Sequence, residues 1–330
     1  MENLVNNIDN TILEQKNSGT TGELYWRISD YTLIISGNGA MPNYKDKRSE
    51  DISNIAPWMF LSFEEVVIED GVTSIGDYAF YSYGGLFFIS IPDSVVSIGD
   101  NALYCCNLES VTIPASVTYI AKNAFENCTS IDVVANNPNY ISEDGVLFNK
   151  IKTVLMLYPN SKTDAEYAIP NSVIYIEDNA FNGSEYLRSV TIPDSVTSIG
   201  KSAFSLCPIK SVIIPNSVTS VEEGTFSYCR CLEEVTIPNL VTSIGVAAFY
   251  GCGLKTLSIP KSVEYIGIGA FMNCLSLSEI INHAIIPQAN DPKYFNSLIF
   301  ARCVLRVHSE AISAYQEDVF WKNFKNIERI

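Results

Sequence analysis

Nine cysteines are the side chains in this 330-residue chain best suited to chemistry, as metal ligands, disulfide partners or nucleophiles. Their spacing decides among these roles. Cys106, Cys128, Cys207, Cys229, Cys252 and Cys274 each stand three residues after a large apolar side chain, namely Leu103, Phe125, Phe204, Phe226, Phe249 and Phe271. One periodic column thus takes six of them and leaves Cys105, Cys231 and Cys303. A zinc site needs ligands converging on one point, not strung out at regular intervals. Neighbours in a stacked column would lie ~5 Å apart by strand spacing. That separation permits a disulfide, but parallel side chains make its torsion awkward. The pattern favours a buried ladder of reduced thiols acting as small hydrophobes, with disulfides and metal as the alternatives.

Other chemistry is sparse. A Ser/His/Asp or Cys/His nucleophilic site would need one of the two histidines, His283 or His308, and neither lies in a motif. Gly37-Asn38-Gly39 lacks the third glycine of a dinucleotide loop, and Gly267-Ile268-Gly269 falls inside a periodic segment. No acid, base, nucleophile or metal set converges, so the expectation is a non-enzyme with no catalytic residue, no cofactor and no metal. Net charge is -16, which argues against nucleic acid as a partner. No run approaches the ~18 apolar residues of a membrane helix, so no transmembrane segment is expected. The first 22 residues have neither the basic nor the apolar region of a signal peptide. They read as a flexible segment, with Asn17 to Gly22 as a polar linker.

The elements that position these side chains come from a repeat. SIPDSVVSIGDNALYCCNL begins at Ser90, TIPASVTYIAKNAFENCTSI at Thr112 and TIPDSVTSIGKSAFSLCPI at Thr191. Three further copies begin at Ile213, Thr236 and Ser258. Pro92, Pro114, Pro170, Pro193, Pro215, Pro238 and Pro260 share one column, in steps of 22 or 23 with a single step of 56. Phe80, Leu103, Phe125, Phe181, Phe204, Phe226, Phe249 and Phe271 share another, giving eight units. The long step reads as one period plus an insert of about 33 residues. Leu187, Val190, Ile192 and Leu254, Leu257, Ile259 fit L-x-x-L-x-L, the strand of a leucine-rich repeat. The proline removes a backbone donor and ends the strand. Short irregular or 3-10 turns, not long helices, should bring the chain back.

The pattern I-P-x-S-V-x-x-I-G-x-x-A-F-x-x-C resembles the BspA-like leucine-rich repeat family of bacterial surface proteins. The segments Ile34 to Tyr44, Asn136 to Pro159 and Ala311 to Ile327 resemble that family's N-terminal cap, hairpin insertion and C-terminal segment. Glu69, Ala121 and His308 depart from the pattern, where proline, glycine and proline are expected. The resemblance implies attachment or protein recognition at a cell surface, by a surface-bound or secreted chain without catalytic residues. The absent signal peptide leaves a cytoplasmic location as the alternative.

The expected fold is therefore a repeat solenoid of strands and irregular turns. Residues 1–22 would be flexible, 23–62 a β cap, 63–277 the solenoid with an insertion at 133–166, and 278–330 a cap with a short helix. In that helix Ile312, Tyr315, Val319 and Phe320 recur at helical spacing, with Ser309 as its N-cap. Val146 to Phe148 and Thr153 to Tyr158 read as a hairpin.

Function should lie on the outward strand positions, which form the concave surface of such a solenoid. Most carry small polar or charged side chains, among them Glu109, Arg188, Lys210, Glu233, Glu234 and Lys255. Phe87 and Phe88 are the aromatic exceptions. They form a binding patch if exposed, or core if the cap or insert covers them. Glu64, Glu65 and Glu109 would supply an acidic rim. The expected partner is a protein or glycan of a host or neighbouring cell; a structural spacer or scaffold is the alternative. No oligomeric state is implied.

Overall fold

The computed structural model describes residues 17–46, 54–288 and 294–330. It divides into two compact units. The first runs through Asn107 and takes in Tyr119–Phe125; the second comprises Leu108–Thr118 and Glu126–Ile330.

In the second unit each repeat forms one coil of a leucine-rich repeat solenoid. Its strand pairs in parallel with the next, as Ser211–Ile213 does with Glu234–Thr236 and Thr256–Ile259 with Glu279–Asn282. Side chains alternate as a strand requires: Leu257 and Ile259 are buried while Thr256 and Ser258 face out. A second parallel stack, not foreseen from the sequence, is built from two-residue strands such as Ser220–Val221, Ser243–Ile244 and Tyr265–Ile266. Between the stacks the chain makes successive tight turns. The N–H groups of Ala203, Ser205 and Cys207 donate to the carbonyls of Gly200, Ser202 and Phe204. These are the irregular turns expected, not a 3-10 helix, because Ser202 and Leu206 take positive φ. The glycine column follows from close coil contact. A Cβ on Gly200 would lie 2.5 Å from the Asp178 nitrogen, and one on Gly267 2.4 Å from the Val246 nitrogen.

The aromatic column is a continuous ladder. Rings of Tyr158, Phe181, Phe204, Phe226, Phe249, Phe271 and Phe295 stack in sequence at 4.7–5.5 Å between centroids. Tyr158 corrects the repeat count. It precedes Phe181 by one period, stacks on it at 5.0 Å, and donates its N–H to Ala180 as Phe181 does to Ala203. The long step between prolines therefore hides a further coil, and the extra chain is much shorter than 33 residues. The expected hairpin forms, Val146–Asn149 against Val154–Leu157, but Tyr140–Glu143 joins as a third strand. Val154–Leu157 also pairs in parallel with Tyr175–Ile176, so it belongs to the second strand stack. Buried Asn137 ties this segment down, donating to the carbonyls of Pro114 and Val117 and accepting from the N–H groups of Asn139 and Tyr140.

At the C-terminal end, Val304–Val307 and Asn326–Arg329 extend the strand sheet in parallel. Two short helices, Ser297–Arg302 and Ile312–Glu317, pack beside them. Ser309 is not the N-cap: it opens a 3-10 turn, Ser309–Ala311, which leads into the helix. Val319 lies beyond the helix and is exposed.

The first unit is less regular. Its sheet orders the strands Ser18–Thr21, Leu24–Ser29, Thr32–Gly37, Glu65–Ile68 and Phe88–Ser90. The first three pair antiparallel and the rest parallel. The expected linker Asn17 to Gly22 thus contains an edge strand, because the exposed edge of Leu24–Ser29 offers its hydrogen bonds to any extended segment that follows the tight turn. Residues 1–16 of the expected flexible segment lie outside the described residues. Beneath the sheet, Trp58 stacks on Phe80 at 5.7 Å, meets Trp26 and Tyr44 edge-on, and donates its indole N–H to the Ala79 carbonyl at 2.9 Å.

Candidate functional site

The strand face of the first unit is built by register. Thr32, Glu65 and Phe88 are cross-strand partners, as are Ile34, Val67 and Ser90. A further row starts from the turn before these strands. The Glu64 N–H donates to Tyr31, and the Phe87 N–H to Glu64. Phe87 is 37% exposed and Phe88 47%, and Glu64, Glu65 and Tyr31 are also exposed. The N-terminal strands extend the sheet edge to edge, so among the described residues they do not cover the two phenylalanines. The outward face here combines two phenyl rings, the Tyr31 ring and two carboxylates.

The remaining candidates lie in the second unit. Backbone hydrogen bonds connect Lys210 to Arg188, Glu233 to Lys210, and Lys255 to Glu233, so Arg188, Lys210, Glu233 and Lys255 form one exposed row on four consecutive coils. Lys255 and Glu233 form an ion pair on that row, and Arg188 donates to the Glu185 carbonyl at 2.7 Å. Glu234 sits one column over, opposite Ser211, and Glu109 precedes the strand Ser110–Ile113. Ile213 is 71% exposed on the same face, a branched apolar side chain whose neighbours in the column are Thr191 and Thr236. Farther along, Arg306 links Glu279 at 2.6 Å and Glu328 at 2.9 Å across three strands.

The cysteine column is buried and unbridged. Cys106, Cys128, Cys207, Cys229, Cys252 and Cys274 are all free thiols with almost no exposure. Cys207, Cys229, Cys252 and Cys274 donate S–H hydrogen bonds of 2.9–3.2 Å to the carbonyls of Phe181, Phe204, Phe226 and Phe249 in the preceding coil. Burial pushes the Cys128, Cys207 and Cys274 thiols up to about 12, and those of Cys229 and Cys252 well above the ordinary 9.0. A neutral, protonated thiol is a poor nucleophile and metal ligand. Of the three cysteines outside the column, Cys303 is buried, Cys105 half-buried and Cys231 exposed. The two histidines are neighbours. Their rings lie 5.9 Å apart, and His283 Nε2 is 3.1 Å from the Ser258 hydroxyl. Burial, and then the His308 charge, lower the His283 pKa.

The family model described as the BspA type leucine-rich repeat region matches residues 52–164 and 157–278, with six copies. Among solved structures, the chain is similar to a leucine-rich cell surface protein from Faecalibacterium prausnitzii A2-165. The identity is 26% and the TM-score 0.60, over 80% of this chain and 94% of that one. The pneumococcal vaccine antigen PcpA aligns at 18% identity and TM-score 0.62, over 96% and 98% of the two chains. A leucine-rich repeat protein from Bacteroides ovatus ATCC 8483 aligns at 20% and 0.51, over 94% and 99%. These last two bear on the fold alone. No curated protein matches the chain.

Proposed function

Because the chain belongs to the BspA-type leucine-rich repeat family, we propose that it is a non-enzymatic recognition module at a bacterial cell surface. It binds a protein of a host or neighbouring cell through the strand face of its first unit, around Phe87 and Phe88. The observation that carries this reading is the exposure of both phenyl rings at register positions where the other coils present charged or small polar side chains. The core does not need them there, and apolar area left in water is unfavourable by ~25 cal/mol per Å². Aromatic side chains of this kind tend to dominate interface energy. The adjoining Glu64 and Glu65 favour a partner with basic groups around an apolar anchor and make association salt-sensitive.

The double substitution Phe87→Ser, Phe88→Ser tests the reading. Capture of partner proteins by the immobilised chain should fall while the melting temperature holds. A large drop in melting temperature would show the rings to be internal packing, and unchanged capture would move the site elsewhere.

A further inference from the structure

We infer that the first unit carries a second, separate site, a saccharide subsite at the outer edge of its sheet that takes a sugar ring bearing a carboxylate. The inference does not rest on the Phe87 and Phe88 patch. Ser18, Thr20, Tyr25, Arg27 and Ser36 line an open depression of about 370 Å³, inside the ~300–1,000 Å³ range of small-molecule sites. Register explains the grouping. Ser18 pairs with Arg27 and Thr20 with Tyr25, while Ser36 flanks Tyr25 from the other side. Alternate residues of paired strands share a face, so all five side chains stand on the outer surface. Gly19, between the two hydroxyl residues, faces the opposite side of the sheet with its partner Trp26. On its inner side a Cβ would press on the Trp26 indole at 2.9 Å.

The chemistry of this set is specific. Tyr25 is 62% exposed and offers a free ring face, onto which the C–H face of a pyranose can pack. The three hydroxyls both donate and accept, as the hydroxyls of a sugar demand. Arg27 is exposed and has no ion pair among the described residues, in a chain whose net charge is -16. An unpaired guanidinium in so acidic a protein is a fork for a carboxylate from outside. A neutral sugar would leave that fork unused. An acidic peptide would leave the ring and the hydroxyls unused. A sugar acid uses all of them.

Titration of the full chain, followed by saturation-transfer NMR, tests this with sodium glucuronate, glucose, sodium acetate and a triaspartate peptide. Glucuronate should bind about tenfold more tightly than glucose, and neither acetate nor triaspartate should displace it at equal concentration. Arg27→Gln should bring glucuronate down to the level of glucose. Tyr25→Ala, or Tyr25→Leu if the smaller residue lowers the melting temperature, should weaken both sugars. Phe87→Ser, Phe88→Ser should leave glucuronate binding unchanged. The inference is overturned if glucuronate does not bind, if acetate or triaspartate competes equally, or if Arg27→Gln makes no difference.

Discussion

The two units solve the same packing problem in different ways. In the second, one solution is repeated. Phenyl ring stacks on phenyl ring, and thiol after thiol donates to the carbonyl of the coil before. In the first, the thiol contact recurs at Cys106, which donates to the Phe80 carbonyl at 3.1 Å, but the contacts around it are individual. Trp58 occupies the start of an aromatic column that continues with Phe80, and Leu103 bridges to Phe125. Thr21 and Tyr44 share a buried 2.6 Å hydrogen bond that no coil repeats. A repeated contact makes stability a sum of similar nearest-neighbour terms. An individual contact leaves the outward face free to vary, and the unusual surface side chains of the first unit, Phe87, Phe88, Tyr25 and Arg27, are of this kind.

The sharpest way to separate the two is alkaline pH. The raised thiols Cys128, Cys207, Cys229, Cys252, Cys274 and Cys303 all lie in the second unit. Their folded pKa values exceed the ordinary 9.0 of the unfolded chain. Below about pH 9 folded and unfolded chains bind the same thiol protons, and the full stability is present. As pH rises from 9 towards 12 the unfolded chain releases protons that the folded one keeps, and stability falls. Each thiol steepens the loss of stability with pH, and the six act in the same direction. Hydrogen exchange between pH 8 and 11 should show protection lost in the second unit before the first. Loss in both at the same pH would break the comparison, and replacing ladder cysteines by alanine should flatten the pH dependence.

Next in size is Phe204→Ala, which removes one rung of the ring ladder. The cost should be about 3–5 kcal/mol by chemical denaturation. Exchange should rise first in the coils of Phe181 and Phe226. Equal loss across the second unit would show that its coils unfold as one block and not as nearest neighbours.

Repetition is also what made parts of the molecule legible in the sequence. The strand column, the phenylalanine column and the cysteine offset could be read because identical residue types recur at one spacing. The Tyr158 coil was hidden because tyrosine replaces phenylalanine and no I-P or Gly-x-x-Ala frame accompanies it. The second strand stack was hidden because two-residue strands are too short to show alternation. Ser18–Thr21 looked like a linker because its strand character comes from the Leu24–Ser29 edge beside it, not from its own Ser, Gly and Thr side chains. The outward placement of Phe87 and Phe88 followed from register alone. The Tyr25 and Arg27 grouping did not, since it depends on which strand lies beside which.

In the first unit, Trp58→Phe keeps an aromatic ring at the column start but deletes the donor to the Ala79 carbonyl. Ala79 is fully buried, so its acceptor loses a partner that water cannot readily replace. A cost of about 1–3 kcal/mol is expected, read as a shift in denaturation midpoint with unchanged slope. A neutral result would mean that stacking on Phe80, and not the individual hydrogen bond, holds this end.

The smallest effect has the opposite sign and probes the turns of the second unit. Four residues after each left-handed position near the glycine column comes another: Ser202 and Leu206, Gly224 and Tyr228, Ala247 and Gly251, Gly269 and Asn273. Glycine recurs at these sites because positive φ crowds a Cβ against its own carbonyl, at roughly 1–2 kcal/mol for an L-residue. Leu206 bears that strain with φ of 64° while its side chain is 53% exposed and so returns little burial. Leu206→Gly removes the strain but frees the unfolded chain, which offsets part of the gain. A net stabilisation of about 0.5–1 kcal/mol is expected from these opposing terms, measured by thermal denaturation. Gly251→Leu, at the equivalent turn with φ of 69°, should reverse the sign, and its added side chain would meet the Tyr228 ring, already 3.2 Å from a Cβ there. If Leu206→Gly destabilises instead, the leucine is packing against its coil neighbours, and the turn row belongs to the core and not to the surface.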